Sequence, residues 1–212
     1  MPRTSLFIEP NGFYHIISRS LNDIWLLRDN DDFTYFFELI RTTKQKYPIR
    51  LFHYVVMNTH FHLAVQVPNH EVLSKNIAYL KWHYSLWVHK KYNWQGPLWR
   101  ERYKSLLIEN ENYLYACGMY IEYNPVRAGI CENPIDYPYS SYRKYNSQIN
   151  DALIDDYEIS TNSKGDYQRD NCHISEQWDF RSTLLKNIFS YSPAIGTALF
   201  IEKLKHPPNA CP

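Results

Sequence analysis

From Ile49 to Val67 the chain consists of two apolar, β-favouring runs, Ile49–Met57 and His60–Val67, separated only by Asn58 and Thr59. So short a connection predicts an antiparallel hairpin, and the rest of the fold has to be built around it. Successive side chains on a strand point to opposite faces. His60 and His62 therefore share one face, and Phe61 enters the layer on the other side. Two imidazoles side by side on a rigid strand can begin a divalent-metal site. Taken alone, they suit a solvated strand face equally well.

The segments around the hairpin extend the pattern. Phe13–Arg19 reads as a strand, with a turn at Asn22 and Asp23. Asp29–Asp32 places acids where a helix N-terminus favours them, and Phe33, Phe36, Phe37 and Ile40 follow at helical spacing until Tyr47-Pro48 ends the helix. After the break at Pro68-Asn69, a long helix is expected from Glu71 to Lys91, with Leu73, Ile77, Leu80, Tyr84, Trp87 and Val88 on its apolar side. Asn93–Pro97 is a loop, Arg102–Ile108 a further strand and Asn112–Asn124 a further helix. The order β-α-β-β-α-β predicts an α+β fold of the ferredoxin-like split βαβ type, an antiparallel sheet with helices on one face. This domain is expected to span residues 1–145. Residues 146–212 form a C-terminal extension of unassigned role: a polar, weakly periodic stretch, then two short helix-like segments between Trp178 and Leu204.

On the helix ending at Asn124, Tyr120 and Asn124 are four residues apart and share a face, with Tyr113 two turns earlier. Pro125 disfavours helical geometry at Asn124 and leaves its amide at a helix end. If that face leans over the hairpin, Asn124 with His60 and His62 makes a three-ligand site suited to Mg2+ or Mn2+. Tyr120 then stands beside it as an oxygen nucleophile. Spacing alone leaves the alternative open, that Tyr120 is a half-buried aromatic and Asn124 a helix stop.

Composition narrows the class. With 44% hydrophobic residues, 17% aromatic, the chain can build a real core. No apolar run is long enough to cross a bilayer, and the first residues lack the apolar centre of a signal peptide. Cys117, Cys131, Cys172 and Cys211 show no C-x-x-C pairing, so reduced thiols and a cytoplasmic location are expected. The net charge of +1 conceals a division. Between Lys75 and Lys104 seven bases face one acid, Glu101, whereas Asp151–Asp179 carries eight acids and two bases. The basic middle suits a phosphate backbone.

Five blocks in order, YHIISRS, YVVMNTHFHLAVQ, GPLWRERYKS, YIEYNPVRAGI and YPYSSYRKY, closely resemble the HUH single-tyrosine transposases of bacterial insertion sequences, most of all the REP-associated branch. The resemblance covers about Gly12 to Tyr145 and implies a ferredoxin-like domain that cuts and rejoins single-stranded DNA at hairpins, acting as a monomer or homodimer. It implies that His60 and His62 are metal ligands, Asn124 the third ligand and Tyr120 the nucleophile that forms a 5′-phosphotyrosine link. One departure is Asn58-Thr59, where the family often has Pro-Asn; it alters the turn and leaves the ligands untouched. His15 and Arg19 are candidates for assisting at phosphate. Lys81, Lys90, Lys91, Arg100, Arg102, Lys104 and Arg127 are candidate DNA-backbone contacts. Trp94 and Trp99 are read as core or loop-anchoring residues ahead of base-stacking ones. Two other readings stand beside the nicking and joining enzyme: a non-cleaving binder of structured single-stranded DNA, and a metal phosphodiesterase in which water attacks.

Overall fold

The computed structural model describes residues 9–147, 149–156 and 194–197. The expected hairpin is present as β2 (Arg50–Met57) and β3 (His60–Val67), closed by Asn58 and Thr59. Strand β1 (Gly12–Arg19) pairs antiparallel with β3 on one side and with β4 (Lys104–Ile108) on the other. The sheet order β2-β3-β1-β4 is that of the split βαβ, and β5 (Ala194–Ile195) adds a fifth strand parallel to β4.

Each of the three long helices starts where the sequence supplies a cap. Asp29 accepts from the Asp32 amide to open α1 (Asn30–Lys46), Asn69 from Val72 to open α2 (His70–Tyr92), and Asn110 from Asn112 and Tyr113 to open α3 (Glu111–Glu122). Helix α2 ends at Asn93, whose φ of 49° is the left-handed cap conformation that asparagine tolerates. Helices α1 and α2 lie on one face and bury Phe36, Ile40, Leu73, Ile77 and Tyr84 against Ile16, Phe61, Leu63 and Val65. At about 25 cal/mol per Å² of apolar surface, this layer is the main driving term of the fold.

Three expectations change. Helix α3 lies on the opposite sheet face, where Leu114, Cys117, Tyr120 and Ile121 pack on Val55, Ala64, Leu106 and Ile108. The helices of the split βαβ thus share one face, and the sheet is covered on both. Helix α3 ends at Glu122, two residues earlier than expected: the break falls at Tyr123, and Asn124 starts a separate short helix, α4 (Asn124–Arg127). Finally, the described parts of the C-terminal extension are built into the core. Leu153 and Ile154 are buried in the α1/α2 layer, the Asp155 carboxylate accepts from Lys44 and from the Leu51 amide, and Ala194 and Ile195 are buried strand residues. Of the helical segments expected between Trp178 and Leu204, all but residues 194–197 lie outside the described residues, as do Cys172 and Cys211. Cys117 and Cys131 are free thiols. Among the described residues no helix is long and apolar enough to cross a membrane.

Candidate metal centre and nucleophile

The face of β3 beneath α3 carries His60 and His62, while Phe61 points the other way, with its ring 5.4 Å from that of Phe36. The two imidazole centroids are 5.2 Å apart. Antiparallel pairing sets Arg19 opposite His60, Ile17 opposite His62 and His15 opposite Ala64. His15 is therefore a diagonal neighbour of His62 on the same face. His15 Nε2 and His62 Nδ1 are 2.8 Å apart, the rings stack at 23°, and both residues are buried.

Helix α3 brings Tyr120 over this strand, with its ring edge-on to His15 at 6.2 Å between centroids. Tyr120 is 9% exposed. Arg127, from α4, lays its guanidinium over the tyrosine ring at 4.0 Å and donates from Nη2 to the Tyr120 carbonyl. Its Nη1 is buried with no hydrogen-bond partner. The Asn124 amide nitrogen donates to the carbonyls of Tyr120 and Ile121, which closes the end of α3.

Electrostatics keep the imidazoles neutral. Burial, reinforced by the Arg127 charge, lowers His15 to a pKa of about 3. Burial and Arg19, opposed by Asp23, lower His60 to about 4. His62 is held well below the ordinary range by burial and by its two histidine neighbours. Burial raises the Tyr120 phenol, and the Arg127 charge opposes that rise.

A divalent cation fits this donor set. His62 Nε2 is buried with no hydrogen-bond partner, as a ligand lone pair would be. The Nδ1 of His60 is engaged by Thr59 Oγ1 at 2.9 Å, which assigns its Nε2 to the outside. Asn124 offers oxygen. Among the described residues no three His, Cys, Asp or Glu side chains form a metal cluster.

A buried support holds α3 in place. His53 Nδ1 is 2.9 Å from the Glu122 carboxylate, which also accepts from Ser141 Oγ, and the His53 ring stacks on Tyr145. A bulge between Leu51 and His53 turns His53 toward α3, where Gly118 leaves room for its ring. Sequence reading missed this group, although a lone glycine inside a helical pattern was the available signal.

The basic candidates separate into two sets. Lys81 is 8% exposed, and its ammonium donates to the carbonyls of Glu101 and Arg102. Lys91 is bridged to Asp29 and to buried Asp32 at 2.6 and 2.9 Å. Their ammonium groups are engaged by loop and helix ends in this structure. Arg19, Lys90, Arg100, Arg102 and Lys104 are exposed. His15 is fully buried, with its ring against His62. Trp99 anchors the loop after α2 by donating to Ser85 Oγ and the Lys81 carbonyl, and Trp94 packs against the core.

With helix α3 laid over the two-histidine strand of a split βαβ sheet, the chain matches the family of IS200-like transposases over residues 10–124 and belongs to it. Within it, the likeness runs to REP-associated tyrosine transposases. A Haemophilus influenzae protein carrying that name is 31% identical over 115 residues. The match takes in 49% of this chain and 65% of the relative, so the chain spans somewhat less than two thirds of that protein's length. The fold is shared with a REP-associated tyrosine transposase solved bound to a REP hairpin, at a TM-score of 0.59 and 17% identity, over 76% of this chain and 100% of that one.

Proposed function

We propose that the protein is a metal-dependent single-stranded DNA endonuclease and strand transferase, acting at DNA hairpins through a 5′-phosphotyrosine intermediate. The observation that carries this reading is the meeting of α3 with β3, which sets Tyr120 beside the neutral His15, His60 and His62 cluster. The partner class follows from the hairpin bound in the similar structure.

His60 and His62 through Nε2, and Asn124 through Oδ1, would hold Mg2+ or Mn2+. When bound, such an ion neutralises charge growing on the non-bridging oxygens of the scissile phosphate. The Tyr120 oxygen attacks phosphorus, the bond to the 3′ oxygen breaks, and that oxygen leaves as a hydroxyl after taking up a proton. The 5′-phosphotyrosine retains the energy of a phosphodiester, so a second 3′-hydroxyl can reseal the strand and release the tyrosine. Arg127 favours the phenolate by its charge, and its Nη1, which has no hydrogen-bond partner, would donate to a phosphate oxygen that displaces the packing around it. The exposed Arg19, Lys90, Arg100, Arg102 and Lys104 are the proposed contacts to the DNA backbone.

The test is cleavage of single-stranded hairpin oligonucleotides with Mg2+ or Mn2+, resolved on a denaturing gel. A protein band carrying covalent DNA is expected, absent in EDTA and absent in Tyr120→Phe, with hairpin affinity of that variant nearly unchanged. Full cleavage by Tyr120→Phe, or cleavage without an adduct, overturns the tyrosine mechanism in favour of water attack. Binding without cutting across a varied oligonucleotide pool makes the protein a non-cleaving hairpin binder.

A further inference from the structure

We propose that His15 is the positioning residue for His62: it accepts the Nδ1 proton of His62 and so fixes the tautomer and ring orientation that present Nε2 to the metal. This inference rests on the ligand assignment above and adds a residue to it.

The geometry comes from the sheet. In the β1/β3 register His15 pairs with Ala64, two residues along the strand from His62, and the imidazole reaches across the diagonal to His62. The two nitrogens meet at 2.8 Å between buried rings, out of reach of competing water. One proton occupies that contact. If it sits on His15 Nε2, His62 must carry its own proton on Nε2 and has no lone pair to give. If it sits on His62 Nδ1, the Nε2 lone pair is bare, and this is the atom found buried without a hydrogen-bond partner. Metal-ligating histidines are commonly held in this way by an acceptor on the second nitrogen, a carboxylate, a carbonyl or water. Here a neutral imidazole from the neighbouring strand takes that place. The same His15 ring lies edge-on to Tyr120, so one side chain spaces the ligand and the nucleophile.

The full-length protein, stripped of metal, is titrated with Mn2+ and free Mn2+ is followed by electron paramagnetic resonance. His15→Phe keeps ring volume and removes the acceptor. His15→Gln keeps a polar atom near the position of Nε2, and His15→Asn is too short to reach it. Phe and Asn are expected to weaken Mn2+ binding by roughly 10–100-fold, the usual effect of removing a ligand's orienting partner, while Gln retains most of the affinity. Nitrogen-15 spectra of the Mg2+ form should show His62 protonated on Nδ1 in the wild type, and this signature should be lost in His15→Phe. A merely structural role would not move it. Wild-type Mn2+ affinity in His15→Phe, or an Nε2-protonated His62 in the Mg2+ form of the wild type, overturns the inference. His60→Ala separates the two levels: if it binds Mn2+ like the wild type, the ligand assignment itself fails and the role of His15 with it. If His60→Ala loses the ion and His15→Phe keeps it, only the role of His15 fails.

Discussion

Replacing Gly118 by alanine offers a sharp test, because two general rules give it opposite signs. In an exposed helix interior, Gly→Ala is stabilising by about 1 kcal/mol. At Gly118 an added Cβ would lie 2.5 Å from Cγ of His53, and closer still to Cε1 and Nδ1 of that ring. Carbon atoms pack at about 3.5–4.0 Å, so something must move by roughly 1 Å. The ring cannot simply swing away, being hydrogen-bonded to Glu122 and stacked on Tyr145. Overpacking of this kind costs about 1–3 kcal/mol. Loss of the buried contact between His53 and Glu122 adds about 1–3 kcal/mol more. Net of propensity, Gly118→Ala should destabilise by about 1–5 kcal/mol, read as a lower urea midpoint by tryptophan fluorescence. In a His53→Ala background the penalty should largely vanish, a coupling on the order of 1–3 kcal/mol in a double-mutant cycle. Cleavage should fall as well, because Tyr120 is two residues along and a shift of about 1 Å in a reacting group can reduce a rate about 100-fold. A variant as stable as the wild type, or an equal penalty with and without His53, refutes close packing of α3 on β2.

Two further outcomes follow from the site. His15 and His60 titrate near 3 and 4 in the folded protein and near 6.5 when unfolded, so the unfolded chain binds more protons between those values. Stability in EDTA should therefore decline as pH falls below about 6.5, by roughly 1.4 kcal/mol per pH unit for each ring, and level off near the folded values. Urea midpoints measured across that range, flatter in His15→Phe, check this, and a flat wild-type profile contradicts it. Arg127→Ala should slow single-turnover cleavage on the order of 100-fold with a smaller loss in DNA affinity. An unchanged rate would leave Arg127 only its hydrogen bond to the Tyr120 carbonyl.

Much of the local structure was legible because it depends on short-range rules. The caps at Asp29 and Asn69, the two-residue connection at Asn58 and Thr59 and the stop imposed by Pro125 are all encoded within a few residues. The exposed or buried fate of the lysines was not. Lys81 and Lys91 read as surface charges on a helix, yet one is drawn onto carbonyls of the following loop and the other onto acids at the start of α1. These partners are distant in sequence, and the helical period carries no information about them.

The sequence by itself determined that His60 and His62 share a face with Phe61 opposed, since strand alternation is a property of the backbone. It also determined, by helical spacing and by resemblance, that Tyr120 and Asn124 belong together at a helix end. Only the tertiary structure decided that α3 covers the histidine face, that the β1/β3 register brings His15 to His62, that the bulge near Phe52 turns His53 beneath Gly118, and that Ala194 and Ile195 extend the sheet beside β4. Alternation fixes which side of a strand a residue occupies. Which neighbour it meets depends on how separate strands slide past one another, and that is settled by packing the whole core at once.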